Sequence, residues 1–276
     1  MASEYLSVGG ESLHYETYGC SDRPAVVLLH GFTGSTVTWH SIAGLLADRF
    51  HVVLVDLWGH GRSASPADST RYSMASQTED LDQLFTYLGL DRILLVGYSM
   101  GGRTALGYAA AFPERIAGLL LESASPGLRT VEERADRRRH DAALAARLRN
   151  EPLAEFVRFW EAIALFDSQK WLPEQTQSAI RSERMNQKAD GLAGSLEGIG
   201  TGSQPSYWRA LPHMMFPVLL VTGTLDGKFT RLAQEMETLL PNAVHEQVPD
   251  AGHAIHVEKP KKFVTIIENF AAHHSF

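Results

Sequence analysis

A chain of 276 residues with 44% hydrophobic and 21% charged side chains has ordinary globular proportions, long enough to bury roughly three quarters of its unfolded surface. Its formal net charge of −7 argues against a nucleic-acid partner, which would require a basic face. A single cysteine, Cys20, excludes an internal disulfide, and with no export-signal profile and no run of 18 apolar residues the expectation is a cytoplasmic protein without membrane association.

Taken in chain order, "YLSV" and "SLHYETY" flank Gly9-Gly10 and predict a hairpin. Four near-continuous apolar runs follow, "AVVLLHG" (25–31), "HVVLVDL" (51–57), "RILLVG" (92–97) and "IAGLLLES" (116–123), as parallel strands covered on both faces require. Between them, "TWHSIAGLLADRF", "MASQTEDLDQLFTYLG" and "GGRTALGYAAAFPE" carry apolar residues at helical spacing. The alternation predicts an α/β fold, a mostly parallel sheet with helices on both faces.

From Pro126 to Pro212 the strand-like text stops, and "TVEERADRRRHDAALAARLRN" and "PLAEFVRFWEAIALF" predict helices. This segment holds 13 Lys+Arg against 12 Asp+Glu, whereas the rest holds 12 against 20, so arginines pointing inward here would suit an anionic ligand. The rhythm resumes with strand "VLLVTG", helix "RLAQEMETLLP", strand "AVHEQVP" and helix "KKFVTIIENFAAHH". The expected organisation is a core of residues 1–125 and 213–276 with an inserted helical lid, 126–212, over the C-terminal edge of the sheet, where open α/β sheets bind ligands.

Within "GYSMGGR" (97–103), the pattern G-x-S-x-G puts Ser99 on a sharp strand-to-helix turn. Asp226 in "TGTLDGKF" and His253 in "PDAGHAIH" follow it, each just past an apolar strand. The types fit one another chemically: a serine hydroxyl is inert until an imidazole takes its proton, and the imidazole needs a carboxylate to fix its tautomer. The rivals are His256, expected on a helix and aimed elsewhere, Asp250, a turn former, and Glu122, at the end of the fourth apolar run. "HGFTGS" (30–35) ends the first long strand, which makes the backbone amides of Phe32 and Met100 the expected oxyanion donors. In "DLWGHGRS" (56–63), Trp58 stands where proline or arginine is usual, either narrowing the pocket entrance or covering the core. These features together predict an α/β-hydrolase fold, which does not by itself decide the reaction.

The motifs "GYSMGGR", "LESASPGL" (121–128), "EERADRRRHD" (132–141), Phe159-Trp160, "RSERM" (181–185), "GTGSQPSYW" (200–208), "DGKF" (226–229) and "GHAIHVE" (252–258) carry a more specific likeness. From about Ala25 to the last helix, insertion included, the chain resembles the bacterial 2-succinyl-6-hydroxy-2,4-cyclohexadiene-1-carboxylate synthases of menaquinone biosynthesis. The resemblance implies a lyase that removes a proton from ring carbon 2 and expels enolpyruvate from carbon 5, using neither metal nor organic cofactor. Its substrate would be a small tricarboxylate, with no obligate protein partner. Ser99 would then be a base activated by His253 and Asp226, Phe32 and Met100 would hold the enolate oxygen, and Tyr98, Arg103, Arg137, Trp160, Arg184 and Lys228 would surround the carboxylates.

Spacing alone leaves these side chains open. Arg137 has Arg134 and Arg138 as rivals and Glu133 as an ordinary helix-surface partner, and Arg184 competes with Arg181. Arg103 and Lys228 also read as surface residues, and Trp160 as core. Two other functions fit the same motifs: a hydrolase acting on a small anionic ester, thioester or diketone, and a non-catalytic trap for a small molecule.

Overall fold

The computed structural model describes residues 1–274 and 276. Gly9 and Gly10 adopt φ of +59° and +83°, a left-handed pair that suits a two-residue hairpin, and β1 (Ala2–Val8) pairs antiparallel with β2 (Glu11–Tyr18). The apolar runs become β3 (Ala25–Leu29), β4 (His51–Val55), β5 (Ile93–Tyr98) and β6 (Ile116–Glu122), and the later ones β7 (Val218–Gly223) and β8 (Ala243–Val248). The sheet order is β1-β2-β4-β3-β5-β6-β7-β8, antiparallel from β1 to β4 and parallel thereafter. Every residue of β4 and β5 is buried, which is why their text is apolar almost throughout. On β3, Val27 and Leu29 enter the core on one face and Val26 and Leu28 the core on the other.

Helices α1 (His40–Leu46), α2 (Met74–Tyr87) and α3 (Met100–Ala111) fall where the periodicity places them. Between β6 and β7 come α4 (Val131–Asn150), α5 (Leu153–Glu161), α6 (Glu174–Met185) and α7 (Ala189–Ile199), and after β7 come α8 (Gly227–Glu237), α9 (Ile255–Glu258) and α10 (Pro260–His273). The inserted helices bury a small core of their own, with Leu144 and Leu148 of α4 against Phe156 of α5 and Leu192 and Leu196 of α7. "PLAEFVRFWEAIALF" is not one helix: it breaks after Glu161 into a 3₁₀ stretch, Ala164–Trp171, in which Phe166 leaves helical geometry at φ −110° and ψ 16°. Among the described residues, no helix is long and apolar enough to cross a membrane.

Past the end of β4, Asp56 is fully buried and saturated with donors: Thr36 N at 2.6 Å, Arg62 N at 2.9 Å and His14 Nδ1 at 2.7 Å. Burial would raise its pKa, but these bonds and nearby His30 outweigh burial and lower it. His14 in turn accepts the Ser3 hydroxyl at Nε2, 2.9 Å away, so this polar row ties the N-terminal hairpin to the sheet. Trp58 lies in the same loop and is 1% exposed, its indole N–H donating to Asp80 Oδ2 at 2.7 Å. Of the two roles open to Trp58, the structure selects core cover.

Candidate active site

The elbow is strained as its sequence demands. Ser99 has φ +51° and ψ −106°, a left-handed setting that costs a non-glycine residue on the order of 1–3 kcal/mol and is held by its neighbours. Ser99 N donates to Glu122 O on β6 at 2.9 Å, and Arg103 N donates back to Ser99 O at 3.0 Å. A Cβ at Gly97 would strike the Gly101 carbonyl, and one at Gly101 would strike Leu29, so both positions must stay bare.

Asp226 is the N-cap of α8. Its Oδ1 accepts Phe229 N at 3.2 Å, which leaves Oδ2 to accept the Nδ1–H of His253 at 2.6 Å. That bond sets the tautomer and turns the Nε2 lone pair toward the Ser99 hydroxyl, 3.0 Å away. His253 is almost wholly buried, packed 4.6 Å from the Phe229 ring centroid. The rivals are otherwise engaged. Glu122 accepts both the amide and the Nδ1–H of His256, at 2.8–3.0 Å, in a second buried acid–imidazole pair, and Asp250 is an exposed turn residue at φ +53°.

The loop after β3 approaches the elbow from the side. A Cβ at Gly31 would lie 2.6 Å from the Tyr98 ring, Thr33 takes φ +67°, and Gly34 N donates to Gly31 O at 3.0 Å. His30 anchors the turn, accepting Leu57 N at Nε2 and donating from Nδ1 to Gly31 O. The amides of Phe32 and Met100 take no partner among the described residues, and both residues line the cavity over Ser99. Two free donors beside a serine are what a developing oxyanion needs.

That cavity has a volume of about 700 Å³. Arg103, Arg137, Trp160 and Lys228 line it with Ser99. Arg103 is clamped by Ile199 O and the Gln204 side chain, and burial with Arg137 nearby pushes its pKa down to about 10, still fully charged at neutral pH. Arg137 donates through Nε to Asp141 Oδ1 at 2.8 Å, which keeps its outer fork free. Glu133, the partner considered from spacing, instead caps α4 by accepting Thr130 N, and Arg134 and Arg138 are drawn to the Gly202 carbonyl. Desolvation, then Arg137, lower the Lys228 pKa against the pull of Asp226. Trp160 stacks on Phe156 at 12° between planes, and its indole N–H is buried without a partner among the described residues.

The structure divides the expected substrate-binding set. Arg184, 6% exposed, does not reach the cavity over Ser99 but lies over the Phe166 ring at 4.7 Å, and that ring itself meets His253 and Trp160. It lines an adjoining cleft of about 400 Å³ and, with Tyr98, a smaller one of about 50 Å³. Among the described residues Arg184 has only distant side-chain partners, Glu161 at 3.6 Å and Gln169 at 3.5 Å, and burial lowers its pKa. Burial and Glu122 raise the Tyr98 pKa well above its usual value, keeping the phenol neutral. Residues overlooked in the sequence also face the cavity: Ser125, Ser195, Thr201 and Arg231 line it, and Gln204 orients Arg103. The Arg137–Asp141 pair was readable from its i,i+4 spacing; the others depend on how the chain returns to the elbow. Among the described residues there is no group of three or more His, Cys, Asp or Glu side chains that could hold a metal ion.

A relay of this kind can either attack a carbonyl or withdraw a proton. A family model described as alpha/beta hydrolase fold matches residues 24–260. The chain is 44% identical over 252 residues to a Bacillus subtilis (strain 168) protein provisionally named 2-succinyl-6-hydroxy-2,4-cyclohexadiene-1-carboxylate synthase, covering 91% of this chain and 92% of that one. It is 31% identical to a Serratia proteamaculans (strain 568) protein of the same enzyme name, over 91% of this chain and 94% of that one. Among solved structures it is similar to MenH from S. aureus, with 36% identity, a TM-score of 0.91 and coverage of 95% and 99% of the two chains. It is also similar to a malate-bound thermophilic esterase from Thermogutta terrifontis, at 27% identity, a TM-score of 0.84 and 99% coverage of both.

Proposed function

The chain belongs to the 2-succinyl-6-hydroxy-2,4-cyclohexadiene-1-carboxylate synthase family within the α/β-hydrolase fold, and from this premise we propose how its own residues perform the elimination. It is a lyase of menaquinone biosynthesis that converts 2-succinyl-5-enolpyruvyl-6-hydroxy-3-cyclohexene-1-carboxylate to the cyclohexadiene and pyruvate. Ser99, its proton drawn off by Nε2 of His253, takes the hydrogen from ring carbon 2, which the neighbouring succinyl ketone acidifies. Asp226 stabilises the imidazolium that forms. Charge moves onto the ketone oxygen, where the Phe32 and Met100 amides receive it. As the enolate collapses, the ring double bond shifts and the carbon 5–oxygen bond breaks; enolpyruvate leaves and tautomerises to pyruvate, without consuming water.

The observation that carries this reading is the cationic wall of the Ser99 cavity. Arg103, Arg137 and Lys228 suit a substrate with three carboxylates and have no role toward a neutral ester. Arg184 adds a further cation beside Tyr98 behind the Phe166 ring, and helices α4, α5 and α7 act as the lid over the Ser99 cavity. The test supplies purified protein with freshly generated enolpyruvyl substrate and follows pyruvate release and diene absorbance, beside a p-nitrophenyl ester. Pyruvate release far faster than ester cleavage is expected; rapid ester turnover without pyruvate would overturn the lyase mechanism.

A further inference from the structure

The last turn of α6 and the residues just past it grip two adjacent loops, the one after β3 and the one after β4. Glu183 Oε1 accepts three hydrogen bonds from the loop after β3: Ser35 Oγ at 2.7 Å, Thr38 Oγ1 at 2.7 Å and Thr38 N at 3.0 Å. One turn later, Gln187 Oε1 accepts Gly61 N at 2.9 Å and Lys188 Nζ donates to Ser63 O at 3.0 Å, both in the loop after β4. The inserted helices therefore hold the oxyanion loop directly, through charge-assisted bonds that exceed neutral ones in strength.

The segment so held is one whose geometry needs holding. Phe32 sits inside the tight Gly31–Gly34 turn and is followed by a left-handed Thr33, and the Ser35 hydroxyl that donates to Glu183 also caps the following 3₁₀ turn by accepting Val37 N at 3.2 Å. From the other side, His30 and Asp56 fasten the loop at Leu57 N and Thr36 N. Glu183 does not line the cavity over Ser99; it borders the small cleft of Tyr98 and Arg184, but its three hydrogen bonds all run to the loop that carries Phe32.

We propose that Glu183 is a positioning residue for the elimination: by fixing Ser35 and Thr38 from the inserted helices, it keeps the Phe32 amide on the developing enolate oxygen. This rests on the assignment of Phe32 as an oxyanion donor. An amide displaced by a few tenths of an ångström weakens stabilisation of the transition state more than capture of the ground state.

The test measures pyruvate release at varied substrate concentration for Glu183→Ala, Glu183→Gln and Thr38→Val. Deleting an oxyanion donor costs 10²- to 10³-fold in kcat, so loosening one in Glu183→Ala should cost about 10- to 100-fold, with KM within about 3-fold of wild type. Glu183→Gln keeps an acceptor oxygen at the same place and should recover to within about 5-fold of wild type. Thr38→Val, which loses one of the three donors, should lower kcat by roughly 3- to 10-fold and serves if Glu183→Ala fails to fold. An unchanged kcat in Glu183→Ala or Thr38→Val, a loss expressed in KM alone, or a Gln variant as impaired as the Ala variant would overturn the proposal. Ser99→Ala in parallel keeps the two ideas apart. Its full activity would refute the base assignment without touching the Glu183 result, and its inactivity beside a wild-type kcat in Glu183→Ala would refute the Glu183 role alone.

Discussion

Two rows of serine, histidine and aspartate cross this molecule with nearly the same spacing. Ser99–His253–Asp226 is linked at 3.0 and 2.6 Å, and Ser3–His14–Asp56 at 2.9 and 2.7 Å. Their surroundings differ in every respect that matters to chemistry. Ser99 is thrust from a left-handed elbow into a cationic cavity beside two free amides, whereas Ser3 lies on an exposed edge strand in ordinary register with Glu16, its oxygen also accepting from Arg62. Asp226 has one oxygen reserved for its imidazole, while Asp56 shares its two among His14 and the amides of two loops. Hydrogen-bond distances alone thus do not distinguish the row we propose to move a proton from one that braces a hairpin.

Removing each imidazole should separate the rows most widely. His253→Ala should lower kcat by about 10²- to 10⁴-fold, the usual worth of general acid–base catalysis, and leave the unfolding midpoint near that of wild type. His14→Ala should instead lower stability by about 1–3 kcal/mol, because Asp56 loses a buried partner, with kcat of the folded enzyme preserved. Comparable losses of kcat in both would break the comparison. Steady-state kinetics with chemical denaturation of each variant decides it.

A smaller effect is expected where the cationic wall of the Ser99 cavity would meet the substrate's charge. Arg137→Ala should lose about 1.5–3 kcal/mol of transition-state binding, or roughly 10- to 150-fold in kcat/KM, the worth of a charge-assisted hydrogen bond. An unchanged value would remove Arg137 from the site, and the attachment of Arg134 and Arg138 to Gly202 makes neither a ready substitute.

The mildest effect belongs to the bracing loop and pH. Burial, then His30, pushes the His60 pKa down to about 3 from an ordinary 6.5. The unfolded chain therefore binds this proton more readily, so the contribution of neutral His60 is complete above about pH 6.5 and is lost as pH falls toward 3. Denaturation midpoints at pH 7, 6 and 5 should decline in step, and His60→Gln should flatten the decline. An equal slope in that variant would assign the acid sensitivity to other groups.

The central strands were legible because β4 and β5 are covered on both faces and leave no alternation to misread. So were Ser99, Asp226 and His253 as a group, since each stands just past a strand and the parallel sheet carries all three to one edge. The position of Arg184 was not legible, because it depends on Phe166 leaving the helix and placing its ring before the guanidinium. Trp58 was undecidable, as both of its readings required the same apolar side chain; Asp80, its deciding partner, is 22 residues away. The Ser3 row joins residues 11 and 42 positions apart and has no local signature at all.

The most direct measurement is a single-turnover comparison of pyruvate release by Ser99→Ala and Ser3→Ala beside wild type. Ser99→Ala should bind substrate yet release pyruvate at least about 100-fold more slowly, while Ser3→Ala stays within about 2-fold, as expected of an exposed substitution. Near-wild-type release by Ser99→Ala, or equal impairment of the two variants, would contradict the assignment of proton abstraction to Ser99.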